Sequence, residues 1–256
     1  MKHFILASAA IIQILLLSAP CLVSAQAQVP SKALGTVEYE VRYNLKNIDT
    51  KVADATISWE RGTREQQPVL HSHAVIRASS IFKLFMNSEY IADSYLTPDG
   101  SEPVYFLNPI KKGSKEGKFE CIYNRKDGTV RSEFVRPPAD PVVNTYTFDG
   151  RTMEILSLLT YVRFLDIPAG ASRSMHLMMG KGDFVAATLT NQGIDKERFP
   201  GVETERLRLK MTGRGVMENG SGDEIVVWRT TGSDRSLVGL ETVLNSGVMT
   251  VTVKGE

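Results

Sequence analysis

The chain has 256 residues, with 30 Lys+Arg against 29 Asp+Glu and two cysteines. Such a balance excludes the basic field that would hold nucleic acid or an anionic membrane surface. A chain of this size can bury its own core without disulfide staples, and its length suits one large β domain.

Residues 1–25 have the organisation of a secretory signal peptide. Lys2 provides the positive start, Phe4–Leu17 the apolar stretch, and Val23-Ser24-Ala25 the small residues a signal peptidase reads, with cleavage before Gln26. Cys21 follows Pro20, and proline directly before the cysteine does not suit a lipidation signal, so the exported protein is expected without a lipid. Lys2 is the only charged residue removed, which leaves a formally neutral mature chain containing Cys121 and no possible internal disulfide. The expected location is the periplasm or the medium. No transmembrane segment is expected after cleavage.

Residues 26–35 read as a disordered lead-in, and residues 36–256 as a single β-barrel-like domain. Val37, Tyr39, Val41 and Tyr43 alternate with polar residues, as in a half-buried strand. Ala53, Ala55, Ile57 and Trp59 alternate in a second strand, and Val69–Arg77 forms a third after the polar loop Arg61–Gln67. Ser79-Ser80 can cap a short helix carrying Ile81, Phe82, Leu84 and Phe85, the alternative and favoured reading being a turn that covers the core. Hairpins follow around Pro98-Asp99-Gly100 and Lys126-Asp127-Gly128, where Asp-Gly provides the positive backbone angles of tight turns. Arg136–Asn144 reads as a crossover linker. Beyond residue 170, strand pairs recur around Gly180-Lys181-Gly182, Gly213–Asp223 and Asn245-Ser246-Gly247. A sheet of about a dozen strands must curl to hide its edges, giving a curved antiparallel sheet that forms a barrel or half-open barrel.

The stretch Asp149–Gly170 is the long helix on which the sheet is expected to pack. Between Met153 and Leu165 only Glu154, Ser157, Thr160 and Arg163 are clearly polar, and their three-residue spacing drifts around the cylinder. Burial on most sides follows. Asp149 or Thr152 is the expected cap, Arg163 suits the negative C-terminal end, and Pro168 with Gly170 stops the helix.

Few residues carry chemistry. His71 and His73 lie on one face of a strand and offer two metal ligands, with His176 as a possible third. No HExxH, cysteine pair or carboxylate cluster stands near them in sequence, so no metal or other cofactor is expected. Cys121, between Phe119 and Tyr123, reads as a small buried hydrophobe.

The order of segments is more specific. Tyr39-Glu40-Val41-Arg42-Tyr43, Ser80–Phe85, Tyr95-Leu96-Thr97-Pro98, Glu154–Arg163 and Val227-Trp228-Arg229-Thr230 with Ser233-Asp234 succeed one another along nearly the whole mature chain. This pattern resembles the DUF3108 family of exported bacterial proteins of unknown function. The resemblance implies periplasmic β architecture and transfers no catalytic residue.

The favoured function is non-enzymatic: binding of a hydrophobic or lipid-like ligand, or of an envelope partner, in an apolar groove between sheet and helix. Trp59, Leu156, Leu159, Phe164 and Trp228 are the expected contacts. The alternative is a glycan hydrolase or lyase of the cell envelope using His71, His73 and Glu89. Oligomeric state is open.

Overall fold

The structure is a computed structural model that describes residues 29–46, 48–79, 89–112, 115–147, 151–178, 184–212, 223–244 and 247–255. The stretch expected as a signal peptide, with Cys21, and Ile81–Phe85 and the glycine-rich segments at 180–182 and 213–222 lie outside them. The strands are β1 (Gly35–Leu45), β2 (Ile48–Arg64), β3 (Gln67–Ala78), β4 (Glu89–Leu96), β5 (Pro103–Lys112), β6 (Lys115–Asn124), β7 (Thr129–Val135) and β8 (Val142–Thr147). After them come β9 (Thr152–Met153), the helix α1 (Ile155–Phe164), β10 (Ser172–Met178), β11 (Phe184–Asp195), β12 (Thr204–Thr212), β13 (Glu224–Thr230), β14 (Leu237–Leu244) and β15 (Gly247–Val253).

All fifteen strands form one sheet, in the order β8-β7-β6-β5-β4-β3-β2-β1-β15-β14-β13-β12-β11-β10-β9. Every pairing is antiparallel except the short parallel contact of β9 with β10. Consecutive strands pair throughout except β8 and β9, and the first and last strands meet in the middle, where β15 pairs with β1. The edges are β8 and β9, so among the described residues no ladder of hydrogen bonds closes the sheet. Side chains bridge the open seam instead: the Tyr146 and Phe184 rings meet edge to face at 4.2 Å. Leu156 and Met178 share an apolar cluster with Phe106, Phe119 and Tyr123 from the opposite arm. The architecture is the half-open barrel.

Three expectations need correction. Of the lead-in, residues 29–34 are packed rather than loose. Val29 and Ala33 are 3% and 1% exposed, Ser31–Ala33 make a 3-10 turn, and Arg61 donates to Val29 O at 2.7 Å. The crossover Arg136–Asn144 contains the start of edge strand β8, in which Val142, Val143, Thr145 and Thr147 are exposed. The polar loop Arg61–Gln67 is no loop either. β2 and β3 run on to a two-residue turn, Glu65-Gln66, both with positive φ (50° and 64°). Glu-Gln lacks the Asn or Gly that normally marks such a turn, so the sequence pattern concealed it.

The helix differs in detail from its expected form. Thr152 belongs to β9, and Glu154 is the cap, its carboxylate accepting from Ser157 N at 3.0 Å. Asp149 lies outside the described residues. Ile155 is 40% exposed, whereas the polar residues Glu154, Ser157, Thr160 and Arg163 are all buried. The helix therefore turns its polar stripe into the sheet. Among the described residues, no helix is long and apolar enough to cross a membrane.

Candidate functional site

The stripe is tied to the sheet residue by residue. Tyr123 on β6 donates to Glu154 at 2.9 Å. Ser157 Oγ donates to Glu154 and stands 2.5 Å from Ser94 Oγ on β4, so Ser94 is the donor there. Thr160 Oγ1 donates to Leu156 O and accepts from Trp59 Nε1 on β2 at 3.1 Å, so Ser72 on β3 donates to it at 2.8 Å. The Arg163 guanidinium lies over the Trp59 ring, 4.2 Å from its centroid. As the stripe drifts around the helix by about 60° per three residues, its partners step across the sheet from β6 to β4, β3 and β2. Helix register and strand curvature are thereby locked together. Burial raises the Glu154 carboxyl above its ordinary range, against the hydrogen bonds that oppose the shift.

The C-terminal end of α1 is seated on two arginines. Arg229, fully buried, donates through Nη1 to Leu165 O at 2.7 Å and to Val162 O. Its Nε and Nη2 reach Glu205 Oε2 at 2.8 and 2.7 Å. Arg235 donates to Leu165 O at 2.9 Å and to Asp166 at 3.2 Å. Both cations lie at the negative end of the helix dipole and fill the carbonyls that a helix end leaves open. The packed segment from Val29, the turn Asp99-Gly100-Ser101 and the β13–β14 loop surround this end. They enclose a cleft of about 510 Å³ lined by Val29, Gly100, Tyr161, Phe164, Leu165 and Arg235, among others. Gly100 has φ +72°, and a Cβ there would come within 2.9 Å of the Phe164 ring, so only glycine lets the turn approach so closely. A smaller hollow of about 350 Å³ lies beside Arg64, Tyr105, Ile122 and Arg125.

Of the residues expected to meet a ligand, Phe164 lines the large cleft. Trp59 and Leu156 are sealed in the core, and Leu159 is half-buried against it. Trp228 faces the other way. It packs with Val226, Val238 and Phe199 on the outer side of β13, while Ile225 and Val227 face the helix. Period-two alternation identifies two faces but not which of them is inside, and β13 is buried on both. Side chains of α1 and the sheet fill the space where a groove along Leu156–Phe164 was expected. The cleft of about 510 Å³ lies at the helix end.

His71 and His73 project from the convex face of β3, opposite Ser72. His71 Nε2 and His73 Nδ1 both stand 2.8 Å from Asp93 Oδ1 on β4, and His71 Nδ1 lies 3.0 Å from Glu60 Oε1 on β2. The His71 ring stacks on Tyr95 at 4.4 Å. Asp93, foremost, raises the His71 pKa and is itself held below the usual carboxylate range, chiefly by His71. Glu89, the acid chosen from sequence, pairs instead with Arg77 at 2.9 Å. His176, the expected third ligand, sits on β10 near the Phe184 ring, in the other arm of the sheet. Asp93 escaped notice because the β3–β4 register, His73 against Asp93, is set across the long connection 79–88 and not by a turn signal. Cys121 is buried in the apolar cluster, and burial raises its thiol pKa.

Fold and site together define an open, β-barrel-like protein plugged by one helix, with an accessible mouth at the helix C-terminus. The chain belongs to DUF3108, a family described as a protein of unknown function, whose model matches residues 38–254. Solved structures similar to it include a β-barrel-like protein of the domain of unknown function DUF1849 from Brucella abortus, 9% identical, covering 86% of this chain and 94% of that one with a TM-score of 0.48. LprF from Mycobacterium bovis is 14% identical over 88% of this chain and 86% of its own, with a TM-score of 0.30. The Mycobacterium tuberculosis lipoprotein LppX is 14% identical over 87% and 86%, with a TM-score of 0.27. The comparison with curated proteins gives no significant match.

Proposed function

We propose that the protein is a non-enzymatic binding protein of the bacterial cell envelope that takes a hydrophobic, lipid-like ligand at the C-terminal mouth of α1. The cleft of about 510 Å³ carries this reading; its volume falls in the range of small-molecule sites, about 300–1,000 Å³. Tyr161, Phe164 and Leu165 form its apolar wall, and Arg235, which also donates to Leu165 O and Asp166, supplies a cation beside the carboxylates of Asp99 and Asp166. The signal-peptide pattern of residues 1–25 supports export, and the ligand enters from the envelope side without a membrane anchor.

Titration with a fluorescent fatty acid tests this. One saturable site per chain is expected. Phe164→Glu weakens it at least about tenfold, the equivalent of 1.4 kcal/mol of lost apolar contact, with the far-UV circular dichroism unchanged. Binding that does not saturate, or that ignores the substitution in a folded protein, overturns the reading.

A further inference from the structure

The convex face of β2–β4 carries a cluster that a ligand at the helix mouth does not use. We infer that His71 Nε2, His73 Nδ1 and a carboxylate oxygen of Asp93 form a binding site for one zinc(II) ion, with Glu60 as the outer carboxylate that orients His71.

Four observations carry it. The three ligand atoms lie within 4.8 Å of one another on adjacent strands, which hold them rigidly. The two nitrogens stand 2.8 Å from one Asp93 oxygen. Ligands about 2.0–2.1 Å from a tetrahedral zinc are about 3.3 Å apart, so each nitrogen must draw back from the Asp93 oxygen by about half an ångström, while the two nitrogens already lie within 4.8 Å of each other. His71 meets a carboxylate at both ring nitrogens. When Nδ1–H is given to Glu60, Nε2 presents its lone pair toward Asp93, where a metal ion can stand between them. Ligating histidines characteristically donate their second N–H to such an outer carboxylate. The Tyr95 stack then fixes the ring plane. Finally, the two carboxylates with two neutral imidazoles match a divalent charge. The side chains of His71, His73 and Asp93 are 17%, 39% and 22% exposed, which leaves a way in and a fourth position open to water. The carboxylate that no nearby sequence motif offered is supplied by strand pairing.

The mature chain, made without a histidine tag and stripped with chelator, is titrated with zinc chloride and followed by calorimetry and native mass spectrometry. One zinc per chain is expected, with a rise in melting temperature at saturating metal. His73→Ala and Asp93→Asn each reduce affinity at least about 100-fold, and Glu60→Gln about 10- to 100-fold, while His176→Ala leaves it unchanged. All four lie outside the hydrophobic core, and circular dichroism of the metal-free variants confirms that they fold. Absence of stoichiometric zinc overturns the inference, as does zinc binding that survives His73→Ala or is lost in His176→Ala. Fatty-acid binding at the helix mouth is a separate readout, so either proposal can fail without the other.

Discussion

Arg229→Met separates the polar role of this buried cation from its volume. The side chain is 0% exposed and serves Glu205 and the last carbonyls of α1 at once. Methionine fills most of the space, so cavity formation contributes little. What remains is a carboxylate without its partner and a helix end without its donors. Removing one member of a buried ion pair costs about 3–5 kcal/mol. The Glu205 side chain is 25% exposed and regains some hydration, which places that part near the lower limit. Two buried carbonyls losing a charged donor add about 1–3 kcal/mol each if left unpaired, though these losses overlap. The expected loss is therefore about 4 kcal/mol. Arg229→Lys should lose about half of that, since one ammonium cannot span Glu205 and Leu165 together. Urea unfolding followed by tryptophan fluorescence, with the slope unchanged, measures the difference. Arg77→Ala is the control: its exposed pair with Glu89 is worth at most about 0.5 kcal/mol. If Arg229→Met loses less than about 1 kcal/mol, the helix end is not held by this residue and the seat of the cleft has been misread.

Truncation should distinguish the faces of the helix. Leu158→Ala, at a residue 1% exposed, should cost about 2–5 kcal/mol, and Leu159→Ala, half-buried, less than half as much; equal losses by denaturant unfolding would contradict the observed orientation. Burial raises the folded Glu154 pKa, so its ionisation opposes folding: the contribution of Glu154 to stability is fully present below the unfolded carboxyl pKa and is lost as pH rises through the folded one. Glu154→Gln lacks this fall, and its stability relative to wild type should therefore increase with pH from about 4 upward; a difference flat with pH would refute the assignment. The Cys121 thiol, shielded and shifted upward, should react with a disulfide reagent only under unfolding conditions, and prompt reaction of the native protein would refute its burial.

Strand rhythm made most of the sheet legible. The Asp-Gly turns gave correct hairpins because Gly100 and Gly128 do take positive φ. β8 and β9 were hidden for different reasons: one follows a proline-rich stretch that suggests a linker, and the other is two residues long. The helix was legible as a buried element, but its polar spacing pointed to scattered faces. Their partners, Tyr123, Ser94, Ser72 and Trp59, lie on four strands, and only the curvature of the sheet brings them to the drifting stripe. The Trp228-Arg229-Thr230…Asp234 segment, distinctive in sequence, now has a physical reading. Arg229 caps the helix, and Asp234 organises the loop below it by accepting from Thr230 and Ser236. The cleft was not legible, because Val29, Gly100 and Phe164 come from distant parts of the chain.

The pairing of β1 with β15 matters for the order in which the molecule is made. Tyr39 faces Val253, so the first strand of the sheet waits for its second neighbour until the thirteen strands between them have been synthesised. Both meanders can zip locally as they emerge, since each strand meets the one before it. Between them, β1 and β14 each present an unpaired edge until Gly247–Val253 inserts as the keystone and joins two half-sheets into one. A chain that had folded without that strand would carry two sticky edges where the half-sheets should join. For that interval, the hazard to the cell is association between chains, and binding to those edges is where a holding chaperone would act.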